Sequence, residues 1–535
     1  MRFLQHTLTA LLVFALACSD DDGDDTSIDG GQDADAPEED AGATDAGPAP
    51  YLELCDPAVD PGAFPAPDAW GPNSGPGGPA VTFTEDDRYE TCAYLDGGEL
   101  DTTEHHNLVT MYDGYLLMPW APESGNGGLT FWDFSDPCAP VVRGTGHSPT
   151  MRESHSIGFS SIGGQWAVVD SVEAYLMFGG GGIQFWDVSD TSAPEPVANL
   201  NLEGFFYPDA YARVALSVFW QAPFVYVGAA DNGVYIVDAT DPMNARVVGQ
   251  YSWEPTLRVG QVQVVGNLLI ATAAEGPRTA LLDVSDPLNP QPIPGGDFLA
   301  RDSSGEPRGA YFTNFTGGKV YYANKDGGGG VMVYDVSDPE NPTFLGENIS
   351  DGNGGYVFVK DDLAFVGESS FAAIYDLTGM PDIAEVTRLD LEGDLDTITP
   401  IGNVAVLSVD ADAIEDQGSS VIPYELEPDT ASPSVTFVWP ADGASAVPVT
   451  SRVGVTFGEF VDVKSAFEGS VRLTETDSGD RVPGVVSAQE TIVNFHPYCP
   501  LASGTSYTLE IPAGGIVDFN GNATTEAFTT TFTTE

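Results

Sequence analysis

GLTFWDFSDPCAP (128–140), GIQFWDVSDTSAP (182–194) and GVYIVDATDPMNA (233–245) are one phrase written three times, and the chain goes on to write it again. TALLDVSDPLNP (279–290), GVMVYDVSDPENP (330–342) and FAAIYDLTGMPDI (371–383) complete the series. Each copy is an apolar run, an Asp, one or two small residues and usually Asp-Pro. The aligned acids are Asp133, Asp187, Asp238, Asp283, Asp335 and Asp376, spaced roughly 40 to 55 residues apart, a period that marks stacked structural repeats. Asp followed by Ser or Thr reads as a turn cap on backbone N–H groups rather than as a metal ligand.

One unit shows the internal grammar. In 261–298, Val262 and Val264 alternate with polar residues, Gly266-Asn267 makes a tight turn, and three further β-segments follow at 268–272, 279–284 and 291–298. Period-2 alternation broken by Gly/Asn turns is an antiparallel meander, and four short strands per repeat make a propeller blade. A seventh, degraded unit follows at 398–426, with Glu425 in place of the Asp and no fourth strand. The missing strand has a counterpart upstream at RYETCAYLD (88–96), ahead of the first blade. The expectation is an all-β chain: a seven-bladed β-propeller over 101–428, closed by an N-terminal strand that completes the last blade. Closure removes the unpaired edges of an open array; six or eight blades are the lesser alternatives.

The phrase resembles the LVIVD repeat of bacterial exported proteins, which implies a β-propeller on a surface or secreted protein and little about activity. Residues 431–535 change character, being Thr-rich and without the Asp-Pro phrase. The opening at 433–462 and the close through Tyr507, Val517-Asp518, Gly521-Asn522 and Phe532 resemble a bacterial Ig-like domain of the SbsA type. Strand count and turn spacing agree on a β-sandwich. Such a resemblance implies a spacer or adhesion module. The Asp518–Asn522 stretch lacks the downstream Glu of a calcium loop and reads as a turn.

The formal net charge is −63, with 18 Lys and Arg against 81 Asp and Glu. Nucleic acid is thereby excluded as an expected partner, because neutralising phosphates needs clustered basic residues. Residues 1–17 have the form of an export signal: Arg2, an apolar stretch and small Ala17. Ala15-Leu16-Ala17-Cys18 resembles a lipobox, which implies lipidation of Cys18 and anchoring in the outer membrane or at the cell surface. Residues 18–50 carry no Lys, Arg or aromatic residue, and read as a disordered acidic tether. Residues 51–100 are a Cys-containing lead-in with the closing strand. Of the four remaining cysteines, the favoured pairing is Cys55 with Cys92, which leaves Cys138 with Cys499 as a staple between propeller and sandwich.

Recognised catalytic motifs are absent, so enzymatic activity is left open and no cofactor is required. One constellation stands out nonetheless. Glu104-x-His106 and Glu153-x-His155 begin the innermost strands of the first two blades, and residues i and i+2 of a strand share a face, so each Glu and His is expected to point the same way. Arg152, Arg213, Arg258 and Arg308 open the corresponding strands of blades two to five. Three readings follow: a channel mouth that binds an anionic small molecule through guanidinium forks, a divalent-metal site with His106 and His155, or Arg–Glu pairing that only satisfies the channel wall. Function is accordingly expected as binding, adhesion or scaffolding of a protein or glycan through the propeller face. The alternative is a hydrolase or lyase using the Glu/His/Arg mouth.

Overall fold

A computed structural model of the chain describes residues 70–97, 108–121, 125–170, 181–203, 215–325, 328–410, 413–414 and 417–535. Among the described residues there is no α-helix, and none is long and apolar enough to cross a membrane. Six four-stranded antiparallel meanders form blades 1 to 6, running respectively from Thr110, Ile157, Ser217, Val259, Ala310 and Val357. Blade 2 is continued by sandwich strands. Blade 7 comprises Thr397–Ile401, Val404–Ser408 and Ser419–Pro423, completed by Ala93–Leu95 from before blade 1. Its register is Ala93 opposite Val421 and Leu95 opposite Ser419. The ring is therefore closed by three residues of the lead-in.

The repeated phrase has a physical reason in every copy. The Asp133 carboxylate accepts from Ser135 N at 3.1 Å and Ser135 Oγ at 2.7 Å; Asp238 and Asp335 hold Thr240 and Ser337 in the same way. The second Asp of the phrase does likewise, Asp136 to Cys138 N and Asp286 to Leu288 N. These are turn caps. Just before the capping Asp, the ladder to the outermost strand shifts register in blades 1 to 6, for example at Phe131/Trp132, Phe185/Trp186 and Val333/Tyr334. Such bulges increase local twist, which lets flat strands fan outward from the axis.

The first strands of neighbouring blades pack against one another, so they are the innermost. Their beginnings and the ends of the second strands share one face of the disc, here called the mouth. The turns between first and second strands form the opposite, lower face. On that face sits the sandwich, whose sheets are Val435–Trp439, Val453–Phe457, Ile492–Pro497 and Gly484–Gln489 against Ala444–Val447, Phe528–Thr534, Ser506–Ile511 and Arg472–Glu475.

The expected spacer is instead an integral base. The strand Gly484–Gln489 pairs with the innermost strand of blade 2, making one eight-stranded sheet. Each of the seven lower turns meets the sandwich. Asp462 accepts from Asp113 N and Gly114 N at 3.1 and 2.7 Å in blade 1. Ser161 Oγ donates to Val486 O in blade 2, and Ala222 N to Ser487 Oγ in blade 3. Gly266 N donates to Asn494 Oδ1 at 2.8 Å in blade 4, and Gly317 N to Thr456 Oγ1 at 2.9 Å in blade 5. Asp361 N donates to Gly458 O in blade 6. In blade 7, Gly402 has φ 61°, and a Cβ there would stand 2.2 Å from Asn520 Oδ1, so only glycine fits. A single hydrophobic cluster runs from Val455, Phe495, Leu509 and Phe532 of the sandwich into Tyr112, Phe131, Phe159 and Trp186 of blades 1 and 2. Asp518 accepts from Asn520 N and Asn522 N, each at 2.8 Å, which makes its loop a turn.

The cysteines pair otherwise than expected. Cys92 is bonded to Cys138, with Cα atoms 5.0 Å apart, so neither the Cys55–Cys92 nor the Cys138–Cys499 pairing stands. Ring closure supplies the reason: Cys92 immediately precedes the closing strand, and Cys138 lies in the Asp-Pro turn of blade 1, its neighbour around the ring. Cys499 is disulfide-bonded as well.

Candidate functional site: the axial mouth

The lower end of the channel is filled by the sandwich hairpin whose tip is Glu490. Its carboxylate accepts from Asn314 Nδ2 at 2.8 Å and Gln263 Nε2 at 3.3 Å, while Gln489 Nε2 donates to Val218 O at 3.0 Å. The mouth is the end the sandwich leaves clear.

Blade 2 contributes an ordered row of side chains there. Asp170, just after the strand Trp166–Val169, is fully buried; its Oδ1 accepts from Ser154 Oγ at 2.9 Å and from His155 N and Ser156 N at 3.0 Å each. The loop thus folds around the carboxylate. His155 Nδ1 lies 3.3 Å from Asp170 Oδ2, and its Nε2 lies 2.9 Å from Glu153 Oε1. Burial acts to lower the imidazole pKa, but the Glu153 charge and the hydrogen bonds to Asp170 and Glu153 outweigh it and raise it well above the usual value. His155 is accordingly an imidazolium between two carboxylates.

Its ring rests on Phe312 of blade 5 at 5.5 Å between centroids; Phe312 stacks on Tyr356 of blade 6 at 4.2 Å, and Tyr311 lies tilted on Phe312 at 4.4 Å. Lys325, just past the strand Lys319–Asn324, sits 4.3 Å from the centre of the Tyr311 ring and 3.5 Å from Glu275 of blade 4. Arg258 is ion-paired to that same Glu275. Asp394, Asp396 and Asp410 come from blade 7. Burial, then Asp410 and Asp394, push the Asp396 carboxyl well above the usual range.

Of the residues singled out from the sequence, Glu153 and His155 are in contact, but they lie in the loop ahead of the strand Ile157–Ser160 and not within it, so strand alternation is not what pairs them. Arg258 lies in the mouth but holds Glu275. Arg308 caps the Asp302–Pro307 loop through Asp302 Oδ2 at 3.0 Å. Arg152 is half-buried ahead of Glu153. Glu104, His106, Arg213, Cys18 and Cys55 lie outside the described residues. Both His155 nitrogens face carboxylates, Asp170 on one side and Glu153 on the other. Asp170, Glu275, Phe312, Lys325, Tyr356 and Asp396 carry no motif. Their common signal is position, at or just before the start of a first strand or just past the end of a second one.

A family model for the LVIVD repeat matches residues 213–252, and one for a bacterial Ig-like domain matches residues 429–534. No curated protein matches the chain. Among solved structures, the periplasmic gluconolactonase PpgL of Pseudomonas aeruginosa is 11% identical, over 58% of this chain and 95% of its own, with a TM-score of 0.44. A Lactobacillus plantarum protein is 10% identical over 57% of this chain and 96% of its own, with a TM-score of 0.43. PorZ, a surface component of the type-IX secretion system of Porphyromonas gingivalis, is 10% identical over 82% of this chain and 60% of its own, also at 0.43. The chain is thus a β-propeller in which residues 213–252 match the LVIVD repeat, followed by a bacterial Ig-like domain over 429–534.

Proposed function

We propose that this chain is an exported binding protein, held at the cell surface, that presents its axial mouth to a protein or glycan partner. The carrying observation is the inequality of the two propeller faces. All seven lower turns are occupied by the chain's own sandwich, whereas the mouth gathers buried polar groups from blades 2, 4, 5, 6 and 7. A rigid disc closed on one face has the other for recognition. Export is supported by the Cys92–Cys138 disulfide, which persists only in an oxidising compartment, and by the bacterial Ig-like domain. Attachment through acyl chains on Cys18 is part of the proposal, and Cys18→Ala should move the protein from the membrane to the soluble fraction.

The test is array screening of the purified protein on glycans and surface proteins, with Tyr311→Ala at the mouth and Thr531→Ala on the exposed sandwich sheet. Capture lost in the first variant and kept in the second supports the mouth as the binding face. Capture that follows Thr531 instead rejects it. One observation favours a second reading, hydrolysis or elimination: in the row Asp170–His155–Glu153 a buried acid orients a histidine against a carboxylate nearer the mouth. Turnover of a captured ligand, abolished by His155→Gln, would establish that reading.

A further inference from the structure

Where the lower turn of blade 6 meets the sandwich, one lysine is enclosed by three acids. Lys360 ends the first strand of that blade, Val357–Lys360. Its Nζ stands 2.5 Å from Asp429 Oδ2, 2.9 Å from Asp361 Oδ2 and 3.4 Å from Glu459 Oε2. Asp361 is exposed, whereas the side chains of Lys360, Asp429 and Glu459 are each more than nine-tenths buried. These three come from separate parts of the chain: blade 6, the link that follows blade 7, and the loop after the sandwich strand Val453–Phe457. Aromatic rings adjoin them. Phe358, two residues before Lys360, meets Phe460, the residue after Glu459, edge-on at 5.3 Å between centroids, and Phe460 meets Phe519 at 5.5 Å.

The Asp429 carboxyl is fixed in orientation. Its Oδ1 accepts from Ala431 N at 2.8 Å, and the Asp429 backbone carbonyl accepts from Asn522 Nδ2 at 3.0 Å. Its Oδ2 is buried, with no donor beside it other than the Lys360 amine. Asp429 Cγ lies one bond beyond that oxygen, close to the about 3–3.5 Å of a near-attack contact. An amine thus faces a carboxyl carbon, a backbone N–H holds the oxygen on which charge would develop, and a second carboxyl touches the amine. Those are the parts of an acyl-transfer site.

Ion pairing and amide formation start from the same protons. Burial acts to lower the Lys360 pKa, but the Tyr424, Glu459 and Asp361 charges and the hydrogen bond to Asp429 outweigh it and raise it, so the resting form is the ammonium. Passing one proton across the contact to Asp429 gives a neutral amine and a carboxylic acid, a step that burial favours because it removes two charges from a dry site. Burial also raises the Glu459 carboxyl to about 8, against the Lys360 charge, so Glu459 holds a proton at neutral pH. We infer that Lys360 Nζ and Asp429 Cγ join as an intramolecular amide, a covalent link from blade 6 to the first residue of the Ig-like match, with Glu459 as the proton relay. The nitrogen lone pair attacks Asp429 Cγ and the Cγ–Oδ2 bond breaks. Oδ2 leaves as water with its own proton and one from Glu459, and the nitrogen returns a proton to Glu459. One water is lost, nothing is oxidised or reduced, and the amide keeps one N–H. The link is independent of what the mouth binds.

Mass spectrometry of the purified protein, reduced, denatured and digested with trypsin, tests it. Trypsin cuts this stretch after Lys325, Lys360, Arg388 and Arg452, so an unjoined chain yields 326–360, 361–388 and 389–452. The expected result is one species in which 326–388, uncut after Lys360, is joined to 389–452 and is lighter than their sum by one water. Lys360→Arg keeps the positive charge and should abolish the joined species. Glu459→Gln, close in shape, should lower the joined fraction by about tenfold or more, with an unchanged circular-dichroism spectrum. Recovery of 389–452 by itself from the unaltered protein, without the joined species, would reduce the site to an ion pair and overturn the inference. A joined fraction undiminished in Glu459→Gln would overturn the relay.

Discussion

Ser487 of the sandwich lies in register opposite Ser160 on the innermost strand of blade 2, with Ala488 opposite Phe159 beside it. Ring closure leaves two sets of strand edges: the outermost strands at the rim and the innermost strands along the axis. The sandwich covers part of the inner set, adding a strand to blade 2 and placing Gln489 and Asn494 side chains on the Val218 and Val264 carbonyls of blades 3 and 4. The C-terminal domain is thereby part of the propeller's hydrogen-bonded structure.

Asn494 concentrates that role. Its Oδ1 accepts from Gly266 N and Gln221 Nε2 at 2.8 and 3.0 Å, and its Nδ2 donates to Val264 O at 2.9 Å. Asn494→Ala takes a partner from Gly266 N, Val264 O and Gln221 Nε2, the last of which keeps its bond to Gly266 O at 2.6 Å, so a loss of roughly 2 kcal/mol is expected from the cost of unpaired buried polar groups. Chemical denaturation should show one cooperative transition, moved to lower denaturant. Two separate transitions in the unaltered protein would contradict the shared core.

Glu490 makes the interface sensitive to pH. Burial raises its pKa to about 7, against hydrogen bonds from Asn314 and Gln263 that lower it. Asp462 is likewise raised by burial to about 7. A raised carboxyl binds its proton more tightly when folded. Its stabilising contribution is complete below the unfolded value of about 4.5 and is lost as pH rises to about 7. For Glu490 the difference amounts to roughly 3 kcal/mol. Glu490→Gln keeps both donors engaged, and should flatten the stability profile between pH 5 and 7.5 and raise the melting temperature at pH 8. A profile as steep as that of the unaltered protein would place the titration elsewhere.

Where structure arises from local hydrogen bonds, the sequence was readable. The Asp133–Ser135 cap, the Gly266-Asn267 turn and the alternation of Val262 and Val264 each lie within a few residues, and a lead-in strand near Tyr94 follows from the strand that blade 7 lacks. The mouth was legible through Glu153 and His155, which lie two residues apart, and through Arg258 at the start of its strand. Tyr356 and Asp396 are brought to them by separate blades, and neither sits in a motif. The base was not legible for a related reason: Asn494 and Asp462 look like ordinary polar residues of a sandwich until the seven turns they meet are assembled. The cysteine pairing failed because proximity along the chain favoured Cys55, whereas proximity around the ring selects Cys138.

The Cys92–Cys138 bridge clasps a closing strand of three residues. In the chain-entropy account, joining residues 46 apart in sequence stabilises by up to roughly 4 kcal/mol. Cys92→Ser with Cys138→Ser should lower the melting temperature, and hydrogen exchange at Ala93–Leu95 should quicken more than at the strands of blade 4. Uniform acceleration over all blades would show that the ring does not open at this seam.

His155 gives the sharpest test of the mouth's electrostatics. Asp170 Oδ1 already accepts three hydrogen bonds, and Glu153 lies on the far side of the imidazole. His155→Gln removes the cation and leaves both carboxylates facing a neutral amide. Breaking a buried ion pair from one side costs about 3–5 kcal/mol, and partial exposure of Glu153 sets the expectation at the lower end, roughly 3. The raised pKa of His155 adds a sign: its stabilisation is present below the unfolded value of about 6.5 and fades as pH rises through the higher folded value. The difference between the unaltered protein and His155→Gln should therefore be largest below pH 6.5 and shrink in alkali. Imidazole NMR signals of His155 should stay in the protonated form at pH 7.5, while those of the buried His496, whose pKa is driven down by burial and by Arg452, report a neutral ring. A neutral His155 at that pH would show that the two flanking carboxylates do not hold its proton.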